Sequence, residues 1–133
     1  MTKRWPRIAL TIGTVLPYWP LLTFSVLFIP DDHFTSDLYN GELPGRLIVA
    51  ALIRGGDWPL WTNRICSGYP LDGAPADPLG LLLFTLLPPA PALDALVLAL
   101  LLIAAHGTYT LARRLGADAP GAVLAGIAFA GSG

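Results

Sequence analysis

Leu93–Ala112, reading LDALVLALLLIAAHGTYTLA, is the stretch on which the fold turns. It carries one charge, Asp94 near its start, and its twenty residues reach about 30 Å at 1.5 Å per residue, the thickness of a bilayer's hydrocarbon core. Arg113 and Arg114 close it, and Gly116 supplies a C-terminal stop. The pattern predicts a membrane-crossing helix over 93–112, with Asp94 near its outer mouth and His106 and Tyr109 in its inner half. A polar side chain at membrane depth is a functional candidate. His106, however, is flanked by Ala104, Ala105, Gly107 and Thr108, and where small residues bring helices close an interhelical hydrogen bond is the expected role.

Composition agrees with this reading. Hydrophobic residues make up 54% of the chain and charged residues 13%, and the mean hydropathy is +0.61. The formal net charge of -1 leaves no basic excess for phosphate neutralisation, which argues against a nucleic-acid binder. Charge is also sorted along the chain. Lys3, Arg4 and Arg7 precede a first apolar run and Arg113 and Arg114 follow the second. Seven of the nine acids (Asp31, Asp32, Asp37, Glu42, Asp57, Asp72, Asp77) lie between the runs. The positive-inside rule then predicts a cytoplasmic N-terminus and an outward-facing loop over 31–78.

The first run, Ile8–Ile29, holds 22 residues without a charge and is expected to cross as the first transmembrane helix, kinked at Pro17 and Pro20. A cleaved signal peptide is the rival. The run is too long for one, and no small-x-small cleavage site precedes Pro30-Asp31-Asp32. Leu79–Leu87 is apolar but too short to cross, and Pro88, Pro89 and Pro91 are expected to separate it from the crossing helix, so a short interfacial helix is expected over 79–88. The run 119–133 begins Ala-Pro-Gly and reads as the start of a third transmembrane helix, too short at about 22 Å to cross. The expected fold is therefore all-α and integral to the membrane: a polytopic helical domain with a large first exoplasmic loop, in the form of the N-terminal part of a longer protein.

Within the loop, Pro44 suits a first helical turn, Leu47–Ile53 are apolar and Gly55-Gly56 can end a helix, which predicts a short surface helix over about 44–55. Arg46 and Arg54 mark its ends, near the lipid headgroups. Trp58 and Trp61 follow, and an interfacial aromatic belt accounts for them without further function. Pro59, Gly68, Pro70, Gly73, Pro75 and Pro78 impose turns. Cys66 is the only cysteine, so no internal disulfide braces the loop. No H-x-x-H, C-x-x-C or H-E-x-x-H spacing occurs, and His33 and His106 are assigned to opposite sides of the membrane. There is also no Gly-rich nucleotide-binding loop.

Several of these blocks resemble one family. An aspartate soon after the first helix (Asp37), a surface helix, Gly56-Asp57-Trp58-Pro59-Leu60-Trp61-Thr62-Asn63 and Gly68-Tyr69-Pro70-Leu71 come in that order. The helix end His106-Gly107-Thr108-Tyr109 running to Arg113-Arg114-Leu115-Gly116 follows, and then Gly126-Ile127-Ala128-Phe129-Ala130-Gly131-Ser132-Gly133. Together they resemble YfhO-type bacterial membrane proteins of the GT-C glycosyltransferase class. The resemblance runs from Asp31 onward, and its more specific parts are Asp37, 56–63 and 68–71.

The resemblance implies a multi-pass enzyme of the bacterial cytoplasmic membrane. Such an enzyme passes a sugar from a polyprenyl-phosphate donor lipid to a glycan or polymer acceptor on the outer face. In that class an acid of the first outer loop acts as general base or orients the acceptor hydroxyl. Asp37 matches that position best. Asp32 competes with it, because Asp31-Asp32-His33-Phe34 resembles the acidic pair that protein O-mannosyltransferases carry after their first helix, where the second acid is usually Glu. A carboxylate accepting the hydroxyl proton typically contributes 100-fold to 10,000-fold.

The donor phosphate calls for cations, and Arg46, Arg54 and Arg64 are the loop's only basic side chains. Pairing with Glu42, Asp57 or lipid headgroups is the alternative role for all three. Trp58, Trp61 and Tyr69 can stack on sugar rings or prenyl chain. No cofactor is expected, although some members of the class use a divalent cation and Asp31/Asp32 is where one would sit. The alternative to the enzyme is a non-catalytic membrane subunit or transporter fragment whose loop docks a partner.

Overall fold

The structure is a computed structural model that describes residues 4–24, 37–63, 67–71 and 77–132. Asp31, Asp32, Arg64 and the tail of the first apolar run at 25–29 therefore lie outside the described residues. Those described are mostly helical, with five α-helices among them and a single two-stranded ribbon. The chain divides into two compact units, 1–23 with 97–133, and 24–96.

In the first unit, helix α1 spans Trp5–Val15, with Pro6 in its first turn where a missing N–H costs nothing. Pro17 and Pro20 lack the amides that would bond back into the helix. The chain accordingly tightens into a 3₁₀ segment over Leu16–Thr23, broken at Tyr18 (φ -107°, ψ 23°). This corrects the expectation of one kinked helix over 8–29: the α-helical part begins at Trp5, ends at Val15 and covers only about 16 Å.

Helix α5, Ala119–Ala130, packs on α1. Asp118 caps it, its Oδ1 accepting the Gly121 N–H at 2.8 Å, with Pro120 in the first turn. The contact is close because glycines make it so. A Cβ on Gly13 would meet the Ile127 side chain at 2.5 Å, and one on Gly126 would stand 2.7 Å from the Ala105 carbonyl oxygen and 2.8 Å from Leu10. Leu10, Ala105, Val123 and Ala130 form the buried cluster.

Helix α4 spans Pro89–Arg114 and is the one helix, among the described residues, long and apolar enough to cross a bilayer, with a mean hydropathy of 1.9. It starts four residues before the expected Leu93. Pro89 and Pro91 begin the helix and do not cut it off, since first-turn positions need no amide donor. Its end is a Schellman motif: the Gly116 N–H reaches the Arg113 carbonyl, the Ala117 N–H reaches that of Ala112 at 3.0 Å, and Gly116 takes φ +94°. Asp94 is fully buried. His106 is an interhelical hydrogen-bonder: the Thr11 hydroxyl on α1 donates to the Arg7 carbonyl, so its oxygen accepts from His106 Nε2–H at 3.1 Å.

In the second unit a π-helical turn, Leu38–Glu42, leads into α2, Leu43–Arg54, close to the range expected from sequence. Helix α3, Pro78–Leu86, packs against α2. Asp77 caps α3 through the Gly80 N–H and also pairs with Arg46 of α2. The Arg46 guanidinium bonds Glu42 one turn back at 3.1 Å and lies 5.9 Å from the Phe84 ring centre. Gly80 keeps this space open, because a Cβ there would collide with the guanidinium.

Two glycine-to-alanine changes separate packing from propensity. Gly107 faces open space on α4, so Gly107→Ala should stabilise the protein by up to about 1 kcal/mol. Gly126→Ala should destabilise it by about 1–3 kcal/mol, because its methyl meets backbone. Thermal unfolding in detergent micelles measures both.

Candidate functional site

The site begins where α2 ends. Gly56, at φ +84°, reverses the chain, with the Gly56 N–H on the Ile53 carbonyl and the Asp57 N–H on the Leu52 carbonyl, both at 3.0 Å. That is again a Schellman cap, and it fixes where Asp57 and Trp58 leave the helix. Beyond Pro59 the chain turns tightly, the Leu60 N–H bonding the Trp58 carbonyl at 2.8 Å.

Strand β1, Trp61–Thr62, then pairs antiparallel with β2, Tyr69–Pro70, in the register Trp61 to Pro70 and Thr62 to Tyr69. Proline has no amide to donate, and the ladder continues through the Leu71 N–H to the Leu60 carbonyl at 2.9 Å. The two blocks at 56–63 and 68–71, apart in sequence, are thus brought together by backbone hydrogen bonds.

Trp61 is held from two directions. Its Nε1–H donates to Asn63 Oδ1 at 2.7 Å. Its ring lies over Gly68, where a Cβ would come within 2.6 Å of the indole. Gly68 also takes φ +124°, so both space and backbone require glycine there. Leu52, Asp57, Trp58, Leu60, Trp61, Thr62 and Asn63 line an open pocket of about 420 Å³. Trp58 is 79% exposed and Trp61 53% exposed, so both indoles are open to solvent. The Asn63 carbonyl is occupied by Trp61, which leaves its amide hydrogens to donate, while Asp57 supplies an exposed acceptor.

The residues singled out from sequence separate into groups. Trp58 and Trp61 share the pocket. Asp37 is exposed, stands just before the Leu38–Glu42 turn, and does not line the pocket. Arg54 is exposed at the end of α2, its Nε donating to the Ala50 carbonyl at 3.2 Å. Arg46 belongs elsewhere: its side chain is only 14% exposed and its terminal nitrogens are committed to Asp77 and Glu42. The pairing alternative describes it in part: Glu42 is one of its partners, and Asp77 is the other. Asp32 and Arg64 lie outside the described residues.

Sequence reasoning passed over Asp57 and Asn63 as members of the pocket, although both sit in the Gly56–Asn63 block. It also counted Asp77 among loop acids, when Asp77-Pro78, an acid before a first-turn proline, is a helix-start signal. Among the described residues no group of three or more His, Cys, Asp or Glu side chains converges on a point that would hold a metal. Comparison with known protein families, with curated proteins and with solved structures finds no match.

Two substitutions test the architecture around the pocket. Gly68→Ala should cost about 1–3 kcal/mol through its positive φ alone and displace the Trp61 ring, which tryptophan near-ultraviolet circular dichroism detects. Arg46→Met should cost about 1.5–3 kcal/mol by leaving Asp77 without its charged donor. Arg46→Lys should recover only part of this, because an ammonium cannot bridge both carboxylates in one plane.

Proposed function

We propose that this chain belongs to a membrane glycosyltransferase of the GT-C class, YfhO-like, that moves a sugar from a polyprenyl-phosphate donor to an acceptor on the outer face of a bacterial cytoplasmic membrane. The observation that carries the reading is one open pocket lined by two indoles, a carboxylate and an amide, all from the 52–63 segment, with the 68–71 block paired beside it as the second strand of the ribbon. Indole faces offer a flat apolar surface with a polar edge, and carboxylate and amide groups read hydroxyls, the combination that a sugar ring presents in complement. Helix α4, apolar and long enough to cross, supports the membrane setting. The multi-pass topology, with the N-terminus inside and the 31–78 loop outside, rests on the charge asymmetry described above.

Asp37 is the carboxylate we assign to activation of the acceptor hydroxyl. Among the described acids of the loop, Asp77 is taken up by its cap and ion pair and Glu42 by Arg46, and Asp57 lines the pocket, whereas Asp37 is exposed, makes no ion pair with a described residue and matches the position that the family resemblance gives to the general base. Arg54, exposed at the last turn of α2, is the described loop cation we assign to the lipid phosphate. In the step we assign to them, the Asp37 carboxylate accepts the acceptor's hydroxyl proton as its oxygen bonds to the sugar carbon. The sugar–phosphate bond breaks, and the polyprenyl phosphate leaves with the electron pair.

Transfer of labelled sugar from a polyprenyl-phosphate hexose, assayed in membranes carrying the protein, tests this. Asp37→Asn should lower the rate about 100-fold to 10,000-fold with membrane insertion intact. Undiminished transfer by that variant would remove Asp37 from the role.

A further inference from the structure

We infer that the pocket lined by Asp57, Trp58, Trp61 and Asn63 is a binding subsite for an uncharged pyranose ring of the acceptor glycan, separate from the place where the donor phosphate is held. Assignment to the acceptor rests on the reading above, while recognition of a neutral ring rests on the pocket alone.

Three features lead to it. The first is a rigid stacking surface. A belt tryptophan needs only to float at the right depth, but Trp61 is clamped between the Nε1–Asn63 hydrogen bond and the Gly68 backbone, and so keeps one face in one orientation. Holding an indole in a defined pose serves a flat partner, and the C–H face of a pyranose is such a partner.

The second is polarity at the edge of that surface. The helix cap fixes the Asp57 backbone, the exposed Asp57 carboxylate is an acceptor and the Asn63 amide hydrogens remain as donors, so paired hydroxyls find one of each. The third is sign. None of the described lining residues is cationic, and the Asp57 carboxylate repels phosphate, so the charged end of a donor lipid is disfavoured here. Arg54 lies on the preceding helix and is not part of the lining. A volume of about 420 Å³ lies within the usual range for small-molecule sites, roughly 300–1,000 Å³.

The test uses the whole chain in lipid nanodiscs with Trp5→Phe and Trp19→Phe introduced, so that emission reports Trp58 and Trp61. Methyl glycosides of glucose, galactose, mannose and N-acetylglucosamine are the probes, followed by fluorescence and by saturation-transfer NMR. At least one should give saturable binding in roughly the millimolar range, weakened about tenfold or more by Trp58→Ala and by Asn63→Leu. Trp58 is mostly in solvent, so its replacement leaves the fold intact and keeps the result interpretable.

Brominated-acyl lipids supply the competing outcome. Strong quenching of Trp58 and Trp61 that no glycoside relieves identifies an aromatic belt and overturns the subsite, as does binding unchanged by both substitutions or absent for all four sugars. Glycoside binding that persists in a protein without transferase activity sustains the subsite and removes the enzyme reading. Transfer without glycoside binding does the reverse.

Discussion

A guanidinium set against a phenyl ring between two helices has to be matched by negative charge, and in the 24–96 unit that match is Asp77. The same carboxylate closes the first turn of α3 through the Gly80 amide, so one side chain both starts a helix and anchors it to α2. Everything between them, the cap at Gly56, the ribbon and the pocket, is an excursion whose two ends are tied at this point. The arrangement is sequence-economical: Asp77, Pro78 and Gly80 lie within four positions and respectively accept, initiate and make room.

Much of the helical layout is legible in the chain. The apolar stretch around Leu93–Ala112, its arginine end and Gly116 mark α4, and Pro44 with Gly55-Gly56 brackets α2. These signals are local: a Schellman cap needs one residue with positive φ and a few backbone bonds, all within one turn. Proline was harder to read, because its meaning depends on position. Pro89 and Pro91 look like breakers but open α4, whereas Pro17 and Pro20 end regular α-helix in a run whose hydropathy is uninterrupted.

The pocket was legible in its ingredients but not in its assembly. Tryptophans, an aspartate and an asparagine in the 56–63 block are visible at once, yet the pose of Trp61 depends on Gly68 across the ribbon, and a two-residue ribbon leaves no hydrophobic alternation to detect. Arg46 shows the opposite difficulty. An arginine near a helix start in an acidic loop has several equivalent partners in sequence, and only the approach of α3 selects Asp77 among them.

The bond from Thr11 to His106 has a consequence for how α1 and α4 can move. Two apolar helices in contact form a slip plane, since methyl groups exchange neighbours with little penalty as one cylinder turns about its axis. A hydrogen bond, by contrast, weakens steeply away from its preferred distance and angle. It therefore favours one angular phase of the pair by the roughly 0.5–1.5 kcal/mol that such a bond contributes.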